Sequence, residues 1–130
     1  MRAPDGWVTD TSGSWGSVGF FFPKEKSSIS VNVDANVGMD LQSYVAAFKA
    51  TYPDQVILSE NDAVSADGTP GLEIEYTDVL SGGVQEHGVD VFFVKYDTGY
   101  VVEGSAVTDY WSANSSVIRA SLASFRILPR

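Results

Sequence analysis

The sequence predicts an α+β domain in which helices flank a mostly antiparallel β-sheet. Apolar and polar residues alternate along several short runs, which is typical of half-buried strands. Two other runs repeat their apolar residues at helical spacing, and short turn sequences join consecutive strands, which makes those strands antiparallel. A chain of 130 residues is long enough for one domain and too short for two full ones. We therefore expect one domain over residues 1–130, with the order β-β-α-β-β-β-β-α.

The first part of the chain predicts a loop and two strands. Residues 4–19 are rich in Gly, Ser, Thr and Asp, which favours a loop or an irregular strand. Residues 18–22 form an apolar run that Pro23 ends, and this pattern predicts a short strand. Residues 29–33 alternate apolar and polar side chains, which predicts a half-buried strand.

An amphipathic helix follows. Asp40 is the expected N-cap, and Pro53 is the expected stop. The apolar face has the spacing of an α-helix and consists of Leu41, Tyr44, Val45, Phe48 and Tyr52.

Four further strands are predicted in the second half. Residues 56–64 and 72–77 form two strands, and the second has the clearest alternation in the chain. Residues 89–96 are almost continuously apolar, which predicts a central strand covered on both faces. Residues 97–99 then form a hairpin turn that leads into a strand over 100–107.

A second helix closes the pattern. We expect Asp109 to cap it and the helix to run as far as Phe125. Residues 126–128 are a candidate for a short final edge strand.

The composition excludes several classes of function. The 17 acids and 8 bases give a formal net charge of −9, which argues against a nucleic-acid partner. The absence of cysteine removes thiol catalysis, zinc-thiolate sites and iron–sulfur clusters. The one histidine, His87, leaves little general-base chemistry, and we expect it on an exposed loop beside Glu86. We therefore expect no enzymatic activity and no cofactor.

Several segments, taken in order, resemble the PsbP-like family, which includes proteins of the Mog type. The resemblance implies an α/β/α sandwich and a binding or assembly role, as in the extrinsic PsbP protein, Ran-binding import factors, bacterial lipoproteins of unassigned function and adaptor chaperones of toxin secretion. It favours the bacterial lipoprotein branch and transfers no functional residue. The segments are Pro4–Trp7, Phe20–Pro23 with Ile29–Val33, Leu41–Tyr44, Gly68–Leu72, Gly99–Val102 and Ile118–Arg126.

The middle of the chain concentrates the negative charge. Residues 54–109 contain twelve acids against one base. Glu73 and Glu75 are two apart on a predicted strand, so their side chains point to the same face. With Asp90 on a neighbouring strand of that face, they would form an oxygen-only site for calcium or magnesium. The alternatives are a solvated strand face and a surface for a basic partner.

Aromatic residues offer a second candidate surface. Trp15, Tyr44 and Trp111 are predicted to line a groove for a protein partner, since Trp and Tyr anchor many interfaces. The alternative is that they pack the ends of the sheet.

We expect the chain to be the soluble domain of an exported or lipid-anchored prokaryotic protein that contacts a protein partner. The lysine-poor, hydroxyl-rich composition favours a location outside the cytoplasm, with membrane contact only through an anchor removed from the N-terminus. One alternative is a cytoplasmic adaptor or chaperone of a secretion system that holds an apolar partner segment. Another is a protein that binds a cation or a small ligand on an acidic sheet face.

Overall fold

The computed structural model describes residues 1–10 and 18–129, and its elements confirm the α+β fold class. The described part contains seven strands and two helices. They are β1 Val8–Asp10, β2 Val18–Phe22, β3 Ser27–Ala35, α1 Leu41–Thr51, β4 Val56–Val64, β5 Pro70–Val79, β6 Gln85–Lys95, β7 Thr98–Val107 and α2 Thr108–Ala123.

The strands form one antiparallel sheet in the order β1-β2-β3-β7-β6-β5-β4. Strand β7 therefore lies in the middle, and β1 and β4 lie at the two edges. The turn between β6 and β7 falls at Tyr96 and Asp97, whose φ angles are 54° and 57°. Two consecutive positive φ values are those of a type I′ turn, whose twist matches that of the strands it joins.

One helix packs against each face of the sheet, as in the expected α/β/α sandwich. Phe93 belongs to the core beneath α2, which includes Ile118 and Leu122. Its neighbour Phe92 points to the opposite face and packs against Tyr44 and Val45 of α1. This alternation explains why residues 89–93 of β6 are mostly apolar, because both faces of that stretch are buried.

The two helices begin differently. Asp40 caps α1 as expected, since its Oδ1 accepts a hydrogen bond of 2.8 Å from the Ser43 amide. The expectation that Asp109 caps α2 is wrong, because the helix already begins at Thr108 and Asp109 lies in its first turn. In that position its negative charge still favours the helix N-terminus. Close packing of α2 depends on Gly104 of β7, where any Cβ would overlap the side chain of Ile118.

Two further expectations need correction. The expected order lacks one strand, because the opening segment, expected as a loop or an irregular strand, contains a short strand, β1, which pairs with β2. Residues 126–128 take an irregular path instead of forming a strand. The Ile127 amide donates to Asp67 Oδ1 at 2.9 Å, and the Ile127 side chain is buried in the core beneath α2. A side-chain acceptor thus satisfies the backbone that a strand partner would otherwise bind.

Candidate functional site

Glu73 and Glu75 lie together on the face of β5 that α2 covers, and a basic side chain lies between them. Arg119 Nη1 is 3.4 Å from Glu73 Oε2, and Nη2 of the same guanidinium contacts Glu75 Oε1. Glu75 Oε2 is also 3.0 Å from His87 Nε2. Glu73 and Glu75 are therefore both paired with the Arg119 guanidinium, and Glu75 also has the His87 ring as a hydrogen-bond partner.

His87 is part of strand β6, and the expectation of an exposed loop histidine is wrong. Its ring stacks on Trp111 of α2, with centroids 4.4 Å apart and planes 11° from parallel. Strand β6 begins two residues earlier, at Gln85, so the strand pairing fixes the ring against the helix. Trp111 is half-buried here and packs on the core beneath α2.

Asp90 lies on the opposite face of the sheet from Glu73 and Glu75. It is paired across the ladder with Ile74, which packs beneath α1. The predicted calcium or magnesium set is therefore not brought together, because Asp90 is separated from the two glutamates by the sheet itself. Within residues 1–10 and 18–129, no group of three His, Cys, Asp or Glu side chains is arranged to hold a metal ion.

Asp90 instead belongs to an acidic row on the α1 face, defined as the buried Asp90 with the half-buried Glu86 and Glu103. Asp90 lies directly opposite Glu103 of β7, and its side chain is 1% exposed. Its Oδ1 is the buried side-chain oxygen that has no hydrogen-bond partner in the described part of the chain. Glu86 accepts a hydrogen bond of 3.3 Å from the Tyr76 hydroxyl.

Burial shifts the protonation of the acidic row. Removal from water raises the pKa of Asp90 to about 9, and the charges of Glu103 and Glu86 add to this. Burial, followed by the charge of Glu86, raises the pKa of Glu103. Burial also raises the pKa of Glu86 above its usual range. The raised pKa favours the uncharged form of Asp90, which limits the cost of holding it inside the protein.

Tyr44 lies near this row, between α1 and the sheet. Its hydroxyl donates to Asp34 Oδ2 at 2.6 Å, and its ring lies against Gly99, where a Cβ would collide with it. Burial, and then the hydrogen bond to Asp34, raise the pKa of Tyr44. The ring also meets Phe92 edge-on, with centroids 6.4 Å apart. Tyr44 is thus a packed and oriented residue with its hydroxyl held by a carboxylate.

A groove of about 610 Å³ opens beside Tyr44, and we call it the α1 groove. It runs between α1 and strands β3 and β7. Its polar groups include the carboxylates of Asp34 and Glu103, and its walls are largely apolar. The lining residues are Asn32, Val33, Asp34, Val37, Met39, Tyr44, Ala47, Phe48, Thr51, Tyr52, Val101 and Glu103.

A larger groove, of about 830 Å³, lies on the other face between the first residues and α2. The Arg2 amide donates to Ser124 Oγ at 2.8 Å, and Ser121 Oγ donates to the Arg2 carbonyl. These polar groups thus satisfy one another. The α1 groove, in contrast, has carboxylates in its lining, and Asp90 beside it has an Oδ1 without a hydrogen-bond partner. It is therefore the stronger candidate for a ligand.

The predicted aromatic surface is not assembled from the residues described. Tyr44 packs on the α1 face and Trp111 on the α2 face, so the two do not line one groove. Trp15 lies outside the described residues. A role for Tyr44 in the α1 groove stays a prediction, as does a role for Trp111 in binding a partner.

The long edge strand β4 is the most exposed element of the sheet. Eight of its nine residues are exposed, and Ala63 is half-buried. Its larger apolar side chains are between 41% and 67% exposed and are Val56, Ile57, Leu58 and Val64. On its inner side it pairs with β5, with an irregularity in register between Ile57 and Ser59.

Sequence reasoning did not single out Glu103 or the edge position of β4. A signal for Glu103 was present, because it is an acid inside an otherwise apolar strand, as is Asp90. Such a residue points either to a strand face open to water or to a buried polar site. The position of β4 depends on strand order, which a single alternating pattern does not determine.

Neither helix in the described part of the chain is long and apolar enough to cross a membrane.

Comparisons with known proteins bear on the fold. No model of a known protein family matches the chain, and no curated protein matches it. Among solved structures, it is similar to PA94 of Pseudomonas aeruginosa, a protein of unknown function and a candidate regulator. That match has a TM-score of 0.74 and 15% identity, and covers 100% of this chain and 92% of the other.

The chain is also similar to cyanobacterial PsbP (CyanoP) of Synechocystis. This match has a TM-score of 0.64 and 17% identity, and covers 97% of this chain and 84% of the other. Identities this low carry information about the fold alone, and neither structure bears on a Mog-type or lipoprotein branch. The seven-stranded antiparallel sheet between two helices is therefore a PsbP-like fold.

Proposed function

We propose that this chain is a non-enzymatic protein-binding module that receives an extended segment of a partner along β4. The observation that supports this most directly is the nine-residue edge strand, which is exposed over nearly its whole length. An exposed strand at a sheet edge is a template for adding another strand.

The backbone of β4 supports strand addition. Since β4 is the last strand in the sheet order, its inner side is used by β5 and its outer side faces away from the sheet. The N–H and C=O groups directed outward along an edge strand are available to pair with an extended chain. Edge strands are commonly short or protected by lysine or proline, whereas β4 has nine residues and neither of these types.

The side chains of β4 indicate the chemistry of the partner. Ile57 and Val64 offer apolar contacts, and Glu60 and Asp62 lie between them along the strand. Residues 54–109 have a large excess of acids over bases. Glu60 and Asp62 lie two apart and therefore on one face of β4, so charge complementarity favours an extended segment with lysine or arginine at every second position, which places those residues on one face.

The test uses a defined peptide of nine residues that alternates valine and lysine. We expect it to bind, measured by fluorescence anisotropy, and to slow amide hydrogen exchange over residues 56–64. A peptide that alternates valine and glutamate serves as the charge control. A valine–lysine peptide with proline at alternate positions serves as the backbone control, because proline cannot donate to the ladder. Neither control should bind.

Matched variants locate the contact. Ile57→Lys places a charge on β4, and Val117→Lys places the same charge on α2 at a residue of equal exposure, 41%. We expect Ile57→Lys to weaken the peptide at least about tenfold and Val117→Lys to leave it unchanged. Exchange protection elsewhere, or equal effects of the two variants, would overturn the proposal. Concentration-dependent protection of β4 without peptide would assign this edge to a second copy of the chain instead.

We also propose that the protein works outside the cytoplasm, as an exported or lipid-anchored domain. The lysine-poor, hydroxyl-rich composition supports this location. Mass spectrometry of the native N-terminus in soluble, membrane and secreted fractions tests it. A processed or lipid-modified N-terminus is the expected result. An unprocessed Met1 in the soluble fraction would refute export and favour the cytoplasmic adaptor.

A further inference from the structure

We propose that the α1 groove binds aliphatic chains that carry ammonium groups, with Glu103 and Asp34 as the two anionic contacts. This site is separate from the β4 edge and does not depend on the proposed function. The proposal rests on the position of the two carboxylates and on the apolar lining between them. It also rests on Asp90, which lies across the ladder from Glu103 and whose Oδ1 lacks a hydrogen-bond partner.

The two carboxylates are spread along the groove rather than gathered at a point. Glu103 pairs with Ser30 of β3, and Asp34 lies four residues further along that strand. At about 3.3 Å per residue, their backbone positions are separated by roughly 13 Å along the strands. A ligand that meets both carboxylates must therefore be elongated.

The middle of the groove is suited to hydrocarbon. Val101 lies on the sheet side between the two acids, and Ala47 and Phe48 of α1 contribute to the opposite wall. Apolar walls favour methylene groups, whose transfer from water is favourable. An elongated aliphatic chain with ammonium ends thus matches the order acid, apolar, acid.

Asp90 lies beside the groove and not in its lining, and it adds to the argument through its position next to Glu103. It lies directly across the ladder from Glu103 on the same face, its side chain is 1% exposed, and its Oδ1 has no hydrogen-bond partner. A buried acceptor of this kind is costly unless a donor reaches it. An ammonium group at Glu103 would bring three donors to this end of the groove.

The nearby cations do not serve this site. Lys49 of α1 is bonded to Glu60 at 2.8 Å, and Lys95 lies on the opposite face of the sheet, where it is bonded to Asp67 at 3.2 Å. Burial and the charge of Glu86 raise the pKa of Glu103, as expected for a carboxyl that has no cation beside it. A ligand that brings positive charge would supply the missing partner.

A simple metal ion fits the groove less well. The described residues offer no group of three ligands arranged around one point. Calcium needs six to eight oxygens at short distance, and magnesium needs near-octahedral coordination. An organic cation needs only local contacts with each carboxylate and uses the apolar walls as well.

The test is isothermal titration calorimetry with a series of α,ω-diaminoalkanes, with n-alkylamines of the same lengths and with magnesium chloride. We expect diamine affinity to rise with chain length to an optimum and then fall, and diamines at the optimum to exceed the monoamines. Glu103→Gln and Asp34→Asn should each weaken the best diamine at least about tenfold. Glu73→Gln removes the same charge from the opposite face and should leave the affinity unchanged.

A second arm distinguishes a free amine from the lysine side chain of a partner. The valine–lysine peptide is titrated against Glu103→Gln and Ile57→Lys. Sensitivity to Glu103→Gln, with no binding of free diamines, would support the groove and identify its ligand as a lysine side chain. Sensitivity to Ile57→Lys alone would confine the peptide to β4.

Three results would overturn the proposal. One is a diamine affinity that does not change in the folded Glu103→Gln variant, whose fold is checked by circular dichroism. Another is measurable amine binding whose affinity is the same for monoamines and diamines at every length. The third is failure of both the diamines and the peptide to show any dependence on Glu103. Each of these leaves the β4 proposal standing, because that proposal is read from Ile57→Lys and from hydrogen exchange.

Discussion

Replacing Asp90 with asparagine should change how the stability of the protein depends on pH. The side chain is 1% exposed, and burial raises its pKa from the ordinary 3.8 to about 9. Between these two values the folded protein keeps a proton on Asp90 that the unfolded chain has released. The folded state then binds more protons than the unfolded state, so the free energy of unfolding falls as the pH rises.

The magnitude follows from proton linkage. One proton of difference corresponds to a slope of about 1.4 kcal/mol per pH unit, so Asp90 removes about 4 kcal/mol of stability between pH 5 and pH 8. This is a large part of the roughly 5–15 kcal/mol that stabilises an ordinary domain. Asparagine has a similar shape and does not titrate. Glu86, Glu103 and Tyr76 face the same region and remain in both proteins.

Urea unfolding followed by tryptophan fluorescence, at pH 5, 6, 7 and 8, measures the slope for each protein. The advantage of Asp90→Asn over the parent should grow by about 4 kcal/mol across this range, whatever its value at pH 5. Asp109→Asn, at an exposed position in the first turn of α2, is the matched control and should follow the parent. Parallel curves for Asp90→Asn and the parent would show that Asp90 is charged at neutral pH, and would refute the reasoning.

Three further predictions concern side-chain packing and one network of hydrogen bonds. Gly104→Ala should lower stability by about 1–3 kcal/mol, seen as a lower Tm, because its Cβ would overlap Ile118; an unchanged Tm would mean that α2 moves freely. Asp67→Asn should lower Tm at neutral pH, because four hydrogen bonds hold the pKa of this carboxyl well below its usual range in the folded protein. The difference from the parent should shrink as the pH falls below about 4, where the unfolded chain takes up a proton on Asp67 while the folded parent keeps its charge. Trp111→Ala should lower the free energy of unfolding by about 2 kcal/mol, because the packing of the indole against His87 is lost. The variant should stay folded, as judged by circular dichroism, and complete unfolding would place Trp111 among the residues that the core requires.

Local patterns in the sequence predict the elements well. The alternation over residues 72–77, the apolar run over 89–96 and the cap at Asp40 all correspond to elements of the structure. These features depend on neighbouring residues, and a side-chain period of two or 3.6 reports them directly. The short strand β1 was not distinguished from a loop, because three residues are too few to establish a period.

The arrangement of the acids could not be predicted in the same way. Glu73 and Glu75 share a face because they lie two apart on one strand, and the structure agrees. Asp90 lies on a different strand, so its face depends on the register of β5 against β6, where Asp90 is opposite Ile74. A shift of one residue in that register would bring the three acids to one face. Register is a tertiary property, and it could not be inferred from the local pattern of β6, because both faces of the centre of that strand are buried.

The acids on the two faces of the sheet differ in whether they have partners, and this contrast bears on function. Under α2, the Arg119 guanidinium pairs with the carboxylates of Glu73 and Glu75, and the His87 ring is a hydrogen-bond partner of Glu75. Under α1, Asp90 and Glu103 face each other across the ladder, and Asp90 Oδ1 is left without a partner. A side chain at position 90 that does not titrate would make the protein more stable at neutral pH, since folding would no longer require a buried acid to take up a proton. If the Asp90→Asn variant is more stable and also binds diamines more weakly, the acidic row contributes to binding and lowers the stability of the protein, as at many functional sites. If it gains stability and leaves binding unchanged, ligand contact is confined to Glu103 and Asp34 at the groove surface.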